Sequence, residues 1–461
     1  MQIKNISRTV VAAALVLGLG SCNIYKKYET PTSSELTRAY AEAMEQAPDS
    51  TAFGNLAWQD VFTDPALVTL INNALVNNTN LRNAQLNVEA ARAQLRGARL
   101  SYLPSVALAP NGAGASYAGS PISWSYQLPG QVSWEVDIFA KILNSKRGAQ
   151  AALYQSEAYA QAVRSQIISA VANTYYTLAA TRQQLQLSRN TSVLWGQSVD
   201  VMKNLKLAGR VTEAAVVQAR ANYYSITASI ADLEMAVDKL QNTMSLLQNT
   251  LPQDWTTATS VNLEVPAIYR AGVPMAELAA RPDVRAAEQS LAVAFYATNS
   301  ARAAFYPGLT ISFNGGFTNL LGGAITNPGV WFYQLAGSLV APLFSRGQNI
   351  ARLQATKAQQ QQALNNFEYS LMSAAAEVSD AMCVYTKSRE KATALAEQVS
   401  NLEKSVEYTN DLLLYSTGST TYLEVLTAQQ SLLGAQISQI NCDLAAAQAI
   451  INHYQALGGG R

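Results

Sequence analysis

The chain is short of the residues that most chemistry needs. It carries one histidine, His453, in 461 residues, and three cysteines. A zinc centre or a histidine-based nucleophilic triad therefore lacks parts. No pair of carboxylates stands out as an acid and base, so the reading is of no enzyme, no cofactor and no metal site. Charge is scarce too. Charged residues make up 14 %, against about 25 % in an ordinary soluble domain. The 32 basic and 31 acidic residues nearly cancel. Phosphate binding needs a basic surplus gathered on one face, and Lys26-Lys27 and Lys146-Arg147 are only pairs. Nucleic acid is excluded as a partner.

Hydrophobic residues are plentiful, at 49 %, and the missing charge is replaced by Ala, Gln, Asn, Ser and Thr. Long, weakly charged elements of this kind suit a wall with one wet side. At the N-terminus, Lys4 and Arg8 precede an apolar stretch from Val10 to Leu19. At about ten residues it is half of what crosses a bilayer, so it reads as an export signal over residues 1–21. It ends in Leu19-Gly20-Ser21-Cys22, an apolar residue, two small ones and a cysteine. That is the pattern of a lipoprotein processing site, with Cys22 as the lipid-bearing thiol. Asn23 follows where an aspartate marks retention at the inner membrane, so the address is the outer membrane. Cys383 and Cys442 fall in predicted helices about 16 Å apart along the axis at 1.5 Å per residue. That is too far for a disulfide, and both are expected to be buried thiols.

The rest of the chain is duplicated. Residues 80–108 align without a gap on 283–311, an offset of 203 that sets Arg82 on Arg285, Ala84 on Ala287, Arg99 on Arg302 and Pro104 on Pro307. Farther on, Phe139 meets Phe344. Gly209, Thr212, Val216 and Ala219 meet Gly418, Thr421, Val425 and Ala428. The expected organisation is an anchor segment over 22–62, a first repeat over 63–265 and a second over 270–457. Each repeat reads as helix, two strands, very long helix, tight turn and long helix. Strands are expected at Ser105–Ser116 and Gln127–Ile138, and at Gly308–Leu320 and Trp331–Leu343. They give hairpins over 105–138 and 308–343, followed by long helices over 140–250 and 345–456. Gly, Pro, Asn and Ser punctuate each hairpin. The strands have the length that crosses a membrane at a tilt, and aromatic residues gather near their ends.

The helical signal is the strongest. From Phe367 through Leu371, Ala374, Val378, Ala381, Tyr385 and Ser388 to Leu413, apolar or small residues step by three and four in turn. The runs Val216 to Leu247 and Leu423 to Tyr454 do the same. A seven-residue repeat sustained so long imposes coiled-coil packing. The fold class is mainly α with membrane β: long antiparallel coiled-coil helices forming an α-barrel, plus four transmembrane strands per protomer. Four strands cannot close a barrel, and open edges in lipid cost several kcal/mol per unpaired group. Copies must therefore join. A dimer is the minimum, and a homotrimer gives a 12-stranded β-barrel with room for a lumen.

Three segments carry a family resemblance: Trp58-Gln-Asp-Val-Phe-Thr-Asp-Pro-Ala-Leu67, Ser133-Trp-Glu-Val-Asp-Ile-Phe139 and Arg281-Pro-Asp-Val-Arg-Ala-Ala-Glu288. With the duplicated plan they resemble the TolC-like outer membrane efflux family, in its lipoprotein branch associated with resistance-nodulation-division pumps. The resemblance implies a trimeric exit duct for small molecules in the outer membrane, projecting into the periplasm. It implies a periplasmic adaptor and an inner-membrane pump as partners. The helix turns at Gly209 and Thr212, and at Gly418 and Thr421, would form the periplasmic tip, and glycine suits the positive φ of such turns. Glu424, with Tyr415, matches the pore constriction. Three copies of Glu424 would make a negative ring that favours cations. A carboxylate in the first turn of a helix is also stabilised by the helix dipole alone. The chain departs from the family pattern at Thr420, where a gating arginine is usual, and at Thr427, where a second acid is usual. Two other functions stay open at this point: a duct of the same build for protein secretion, and a periplasmic coiled-coil scaffold without a barrel.

Overall fold

The computed structural model describes residues 25–44, 53–116, 118–261, 263, 275–319, 330–415 and 422–460. In chain order the elements are α1 (Glu35–Met44), α2 (Trp58–Val61), α3 (Pro65–Asn77), α4 (Thr79–Leu100), β1 (Ser105–Leu108), β2 (Asn111–Ala115), β3 (Ser123–Val136), α5 (Lys141–Leu207) and α6 (Glu213–Leu247). After these come α7 (Met275–Ala280), α8 (Pro282–Ala303), β4 (Gly308–Thr318), β5 (Val330–Val340), α9 (Gln348–Tyr415) and α10 (Tyr422–Ala456). The plan repeats element by element. Helices α4 and α8 are both 22 residues long and begin 203 apart (282 − 79), as do β1 and β4 (308 − 105). Helices α5 and α9 have 67 and 68 residues, and α6 and α10 have 35 each.

The chain divides into two compact units, and each draws on both halves. One holds residues 1–37, 86–158 and 285–369, and the other holds 38–85, 159–284 and 370–461. The first contains a single antiparallel sheet in which β3 pairs with β1 and β2 on one side and β4 on the other, and β4 pairs with β5. β1 and β2 keep one register against β3 (Ser105↔Ser133 and Asn111↔Gln127), so they are one strand interrupted at Ala109-Pro110. The sequence suggested an unbroken strand there. Ala109 gives its N–H to the Pro129 carbonyl at 3.1 Å, but Pro129 of β3 has no N–H to return, so the ladder lapses there and pairing resumes at Asn111. β3 ends two residues sooner than expected, because Asp137 leaves the sheet to cap α5. Its carboxylate accepts from the N–H groups of Ile142 at 3.0 Å and Leu143 at 2.7 Å. β5 stops at Val340, ahead of Pro342. α9 starts at Gln348 and not at residue 345, since Arg346 and Gly347 adopt φ of 50° and 77°.

In the second unit the heptad stripes are the core. Along α9 Phe367 belongs to the first unit, but Leu371, Ala374, Val378, Ala381, Ser388 and Leu395 are buried and the remaining heptad positions to Leu413 are at least half covered. The α6 stripe behaves alike. On α10 the stripe fails only at Leu423 and Gln430, which are exposed, before Ile440, Ala447, Ile451 and Tyr454 sink fully. Polar pairs fix the register of α5 against α10: Asn173 with Asn452 at 3.1 Å, Thr177 with Gln448 at 3.1 Å and Gln184 with Asn441 at 2.7 Å. The two remaining cysteines are unbridged, and one expectation is corrected. Cys442 is buried with its thiol on the Ser388 carbonyl at 3.0 Å, whereas Cys383 is exposed. Cys383 lies two residues beyond Ala381 in the stripe, which turns it about 200° around the helix and out of the seam.

Candidate functional site

The sheet sorts its side chains by chemistry. Strand alternation sends successive residues to opposite faces, and the observed register aligns the faces across all strands. One face carries Val106, Leu108, Trp124, Tyr126, Leu128, Val132, Trp134 and Val136. It continues with Leu309, Ile311, Phe313, Phe317, Trp331, Tyr333, Leu335 and Leu339. Its only other members are glycines. Many of these residues are bare: Val106 is 75 % exposed, Tyr333 74 %, Leu335 72 % and Leu339 64 %. The opposite face carries Ser, Thr, Gln and Asn among Ala, Gly and Pro129, with Val330, Phe332 and Val340 of β5 as its larger apolar members, and its one charged residue, Glu135, pairs with Lys141 at 2.7 Å. Aromatic residues mark the ends of the apolar band. Trp124, Tyr126, Phe317 and Trp331 sit toward the hairpin tips, with Phe317 and Trp331 edge to face at 5.4 Å, and Trp134 lies toward the helices. No described helix is long and apolar enough to cross a membrane.

The N-terminal segment is strapped along α8. The Tyr28 N–H donates to the Tyr296 hydroxyl at 3.1 Å, the Tyr28 ring meets Phe295 edge to face, and Thr30 donates to Glu288 at 2.7 Å. Burial raises the pKa of the Tyr25 hydroxyl, with Tyr306 adding to the rise and Arg302 opposing it. Cys22 lies outside the described residues, three positions before Tyr25.

The first helix turn is built as expected. Gly209 holds φ +73°, and its N–H reaches the Lys206 carbonyl at 2.9 Å while Arg210 N–H reaches Leu205. This is the left-handed C-terminal cap that glycine adopts without strain. Thr212 is the N-cap of α6 with extended φ and ψ, although its hydroxyl makes no capping bond, and Lys206 and Glu213 pair across the turn. The turn's apolar residues Val199, Met202, Val216 and Ala219 form a cluster with Val425 and Leu426 of α10. Glu424 stands in the first turn of α10 and is exposed, in a stripe with Thr427 and Ser431 that faces away from that cluster. Tyr415 ends α9, and its side chain is outside what is described. Gly418, Thr420 and Thr421 lie outside the described residues.

The motifs that carry the resemblance turn out to be fasteners. Trp58, Val61, Phe62 and Leu67 are almost fully buried. Asp64 caps α3 through Ala66 N–H at 2.9 Å and accepts the Tyr175 hydroxyl at 2.6 Å. Arg281 is 5 % exposed. It grips Asp283 at 3.0 and 2.6 Å, Glu377 at 2.7 Å and the carbonyl of Ala456, at the end of α10, at 2.7 Å. Sequence reasoning missed these partners because they stand 96 and 175 residues away. It also missed the alignment of amides across the sheet, which follows from strand parity once the register is known.

His453 is 2 % exposed and stacks on Phe53 at 5.7 Å. Burial pushes its pKa down to about 4. An unfolded histidine near 6.5 binds its proton first as pH falls, so stability drops between pH 6.5 and 4 and levels off below. The shift corresponds to about 3 kcal/mol. His453→Phe is expected to remove that part of the acid sensitivity. Unfolding midpoints of both proteins at pH 7.5 and 4.5 give the difference, and parallel losses in the two would disprove it. Among the described residues no cluster of three or more His, Cys, Asp or Glu is placed to hold a metal.

Comparison with known proteins gives a consistent picture. The family model described as "Outer membrane efflux protein" matches residues 70–250 and 273–459. The chain is 27 % identical to the "Cation efflux system protein CusC" of Escherichia coli over 97 % of each chain, and 26 % identical to the "Probable outer membrane lipoprotein SilC" of Salmonella typhimurium over 96 % of each. The crystal structure of the open state of the Neisseria gonorrhoeae MtrE outer membrane channel superposes with a TM-score of 0.79 and 26 % identity. That superposition covers 95 % of this chain and 97 % of MtrE.

Proposed function

We propose a mechanism from one premise: the chain belongs to the outer membrane efflux protein family, both of whose matched segments fall on the duplicated helix–hairpin–helix plan. It is an outer-membrane exit duct for efflux. The observation that carries the mechanism is the sheet, apolar on one face and mainly small and polar on the other, with no partner among the described residues on the outer edges of β1–β2 and β5. A sheet of this kind placed in lipid must find partners for those edges, because each unpaired group costs several kcal/mol. Three copies complete a 12-stranded barrel with the polar face inward. An 11-residue strand spans about 37 Å along its axis and, tilted at about 45°, matches the hydrocarbon core.

Cys22 carries the lipid in this reading. Three residues reach at most about 11 Å, so the strap on α8 keeps the acyl chains beside the barrel's periplasmic rim. The long helices carry the conduit onward, the turns at Gly209 and Gly418 meet a periplasmic adaptor, and an inner-membrane pump supplies the energy. The cargo is small molecules, and the duct itself does no chemistry. Glu424 rings the narrow end. With Val425 and Leu426 packed into the wall, the exposed carboxylate and Thr427 remain for the lumen, and three acids close together favour cations. Substituting Glu424→Ala is expected to raise conductance for both ions and to bring the potassium-over-chloride permeability ratio down toward one in planar bilayers. An unaltered ratio would contradict the assignment. A discrete monomer in detergent with no channel activity would overturn the duct itself.

A further inference from the structure

The polar face of the sheet carries a single formal charge, at Glu135. Gln131 of β3, Asn314 of β4 and Gln334 of β5 are direct partners in the observed register, Gln131↔Asn314 and Asn314↔Gln334. They form one row of carboxamides across three adjacent strands. Direct partners on one face have Cβ atoms about 5 Å apart, so neighbouring amides are within bonding reach of each other and of whatever passes. Toward the helices the next row is Ser133, Ser312 and Ala336, and the row after it is Glu135, Thr310 and Ser338. Glu135 is the sole formal charge on this face, and Lys141 pairs it at 2.7 Å.

We propose that Gln131, Asn314 and Gln334 form a specificity row that makes the barrel lumen indifferent to the sign of the solute's charge. This rests on the reading above that the polar face lines a lumen. Each amide offers a carbonyl oxygen and an NH₂ group, so it solvates cations, anions and neutral polar groups with similar ease and repels none. A row of carboxylates would concentrate cations and exclude anions, as charged rings do in channels. Charge selection then resides at the helical end, and the barrel admits hydrated solutes of either sign, including zwitterions. The solute class for this segment is polar organic molecules and small ions alike, limited by size.

The full-length protein, purified and reconstituted in planar bilayers under a potassium chloride gradient, tests this. Asn314→Asp keeps the side chain's shape and puts one carboxylate in the row, three in the closed barrel. Its cation-over-anion permeability ratio is expected to rise measurably over wild type, and Gln334→Lys is expected to shift the reversal potential in the opposite direction. If Asn314→Asp does not assemble, Gln131→Glu places the same charge on the same row. Channels that form with wild-type reversal potentials in all these variants would overturn the row while leaving the duct intact. No channel from the wild-type protein would instead overturn the lumen reading on which it rests.

Discussion

Replacing Arg281 with alanine is expected to destabilise the helical unit by about 3 kcal/mol. Arg281 is the charge buried deepest in the resembling motifs, at 5 % exposure. Its guanidinium meets three partners on different segments: Asp283 at the start of α8, Glu377 in α9 and the Ala456 carbonyl at the end of α10. The partners differ in what they lose. The side chains of Asp283 and Glu377 are 48 % and 52 % exposed and can return to water. The Ala456 carbonyl, already unsatisfied by its own helix, cannot. For that reason the cost sits at the lower end of what breaking a buried pair brings. Arg281→Lys, with one point charge in place of a fork, is expected to recover less than half of it. Glu377→Gln is expected to cost under about 1 kcal/mol, as an exposed partner should. Denaturant midpoints followed by tryptophan fluorescence give the ranking, and an alanine variant within 1 kcal/mol of wild type would refute it. The pair also has a pH sign. Burial alone would raise Asp283, and the Arg281 hydrogen bonds and charge more than offset this, so its carboxyl lies below the usual range. The stabilisation it gives is complete above the ordinary carboxylate pKa and is lost as pH falls through the lower folded value.

What was legible in the sequence, and what was not, divides along one physical line. Periodicity is a local property, so the helices, their near-equal lengths in the two halves and the strand pairs could be read directly. The 203-residue offset even fixed where β4 begins. Caps are local too, and Gly209 was visible for that reason. Fasteners are not local. Nothing near Asp64 announces Tyr175, 111 residues away, and nothing near Arg281 announces Ala456. The motifs could be recognised as markers of a family but not understood as staples until their partners appeared. Where prolines interrupted a strand, the alternating pattern ran through the break and concealed it, because parity is unchanged across Ala109-Pro110. Cys383 went wrong for a related reason: a helix position two residues off a seam faces water, and residue type alone does not reveal the phase.

The most severe expected effect in the sheet falls where β3 and β4 meet backbone to backbone. Pro129 sits in β3, a strand bonded on both sides, opposite Gly316 of β4. A side chain at residue 316 would place its Cβ against the Leu128 carbonyl oxygen and 2.8 Å from the Pro129 Cα. Both are backbone atoms that no rotamer change can move. β3 and β4 approach this closely because residue 316 has no side chain; the side of Pro129 that lacks an N–H faces β1–β2, where its carbonyl accepts from Ala109. Gly316→Val therefore forces the two strands apart. Overpacking alone costs about 1–3 kcal/mol, and each ladder bond opened toward lipid adds several more. Those bonds join the two hairpins into one sheet, so the variant is expected to abolish assembly and not merely to weaken it. Gly337→Ala is the matched control, since nothing lies within 4 Å of the Cβ it would add on the neighbouring β5. The readout is the amount of protein in the outer-membrane fraction that shifts mobility on heating. The control should match wild type and Gly316→Val should fall at least about tenfold, the ratio that 1.4 kcal/mol already produces. Equal yields for the two would mean that the β3–β4 seam does not hold the barrel together.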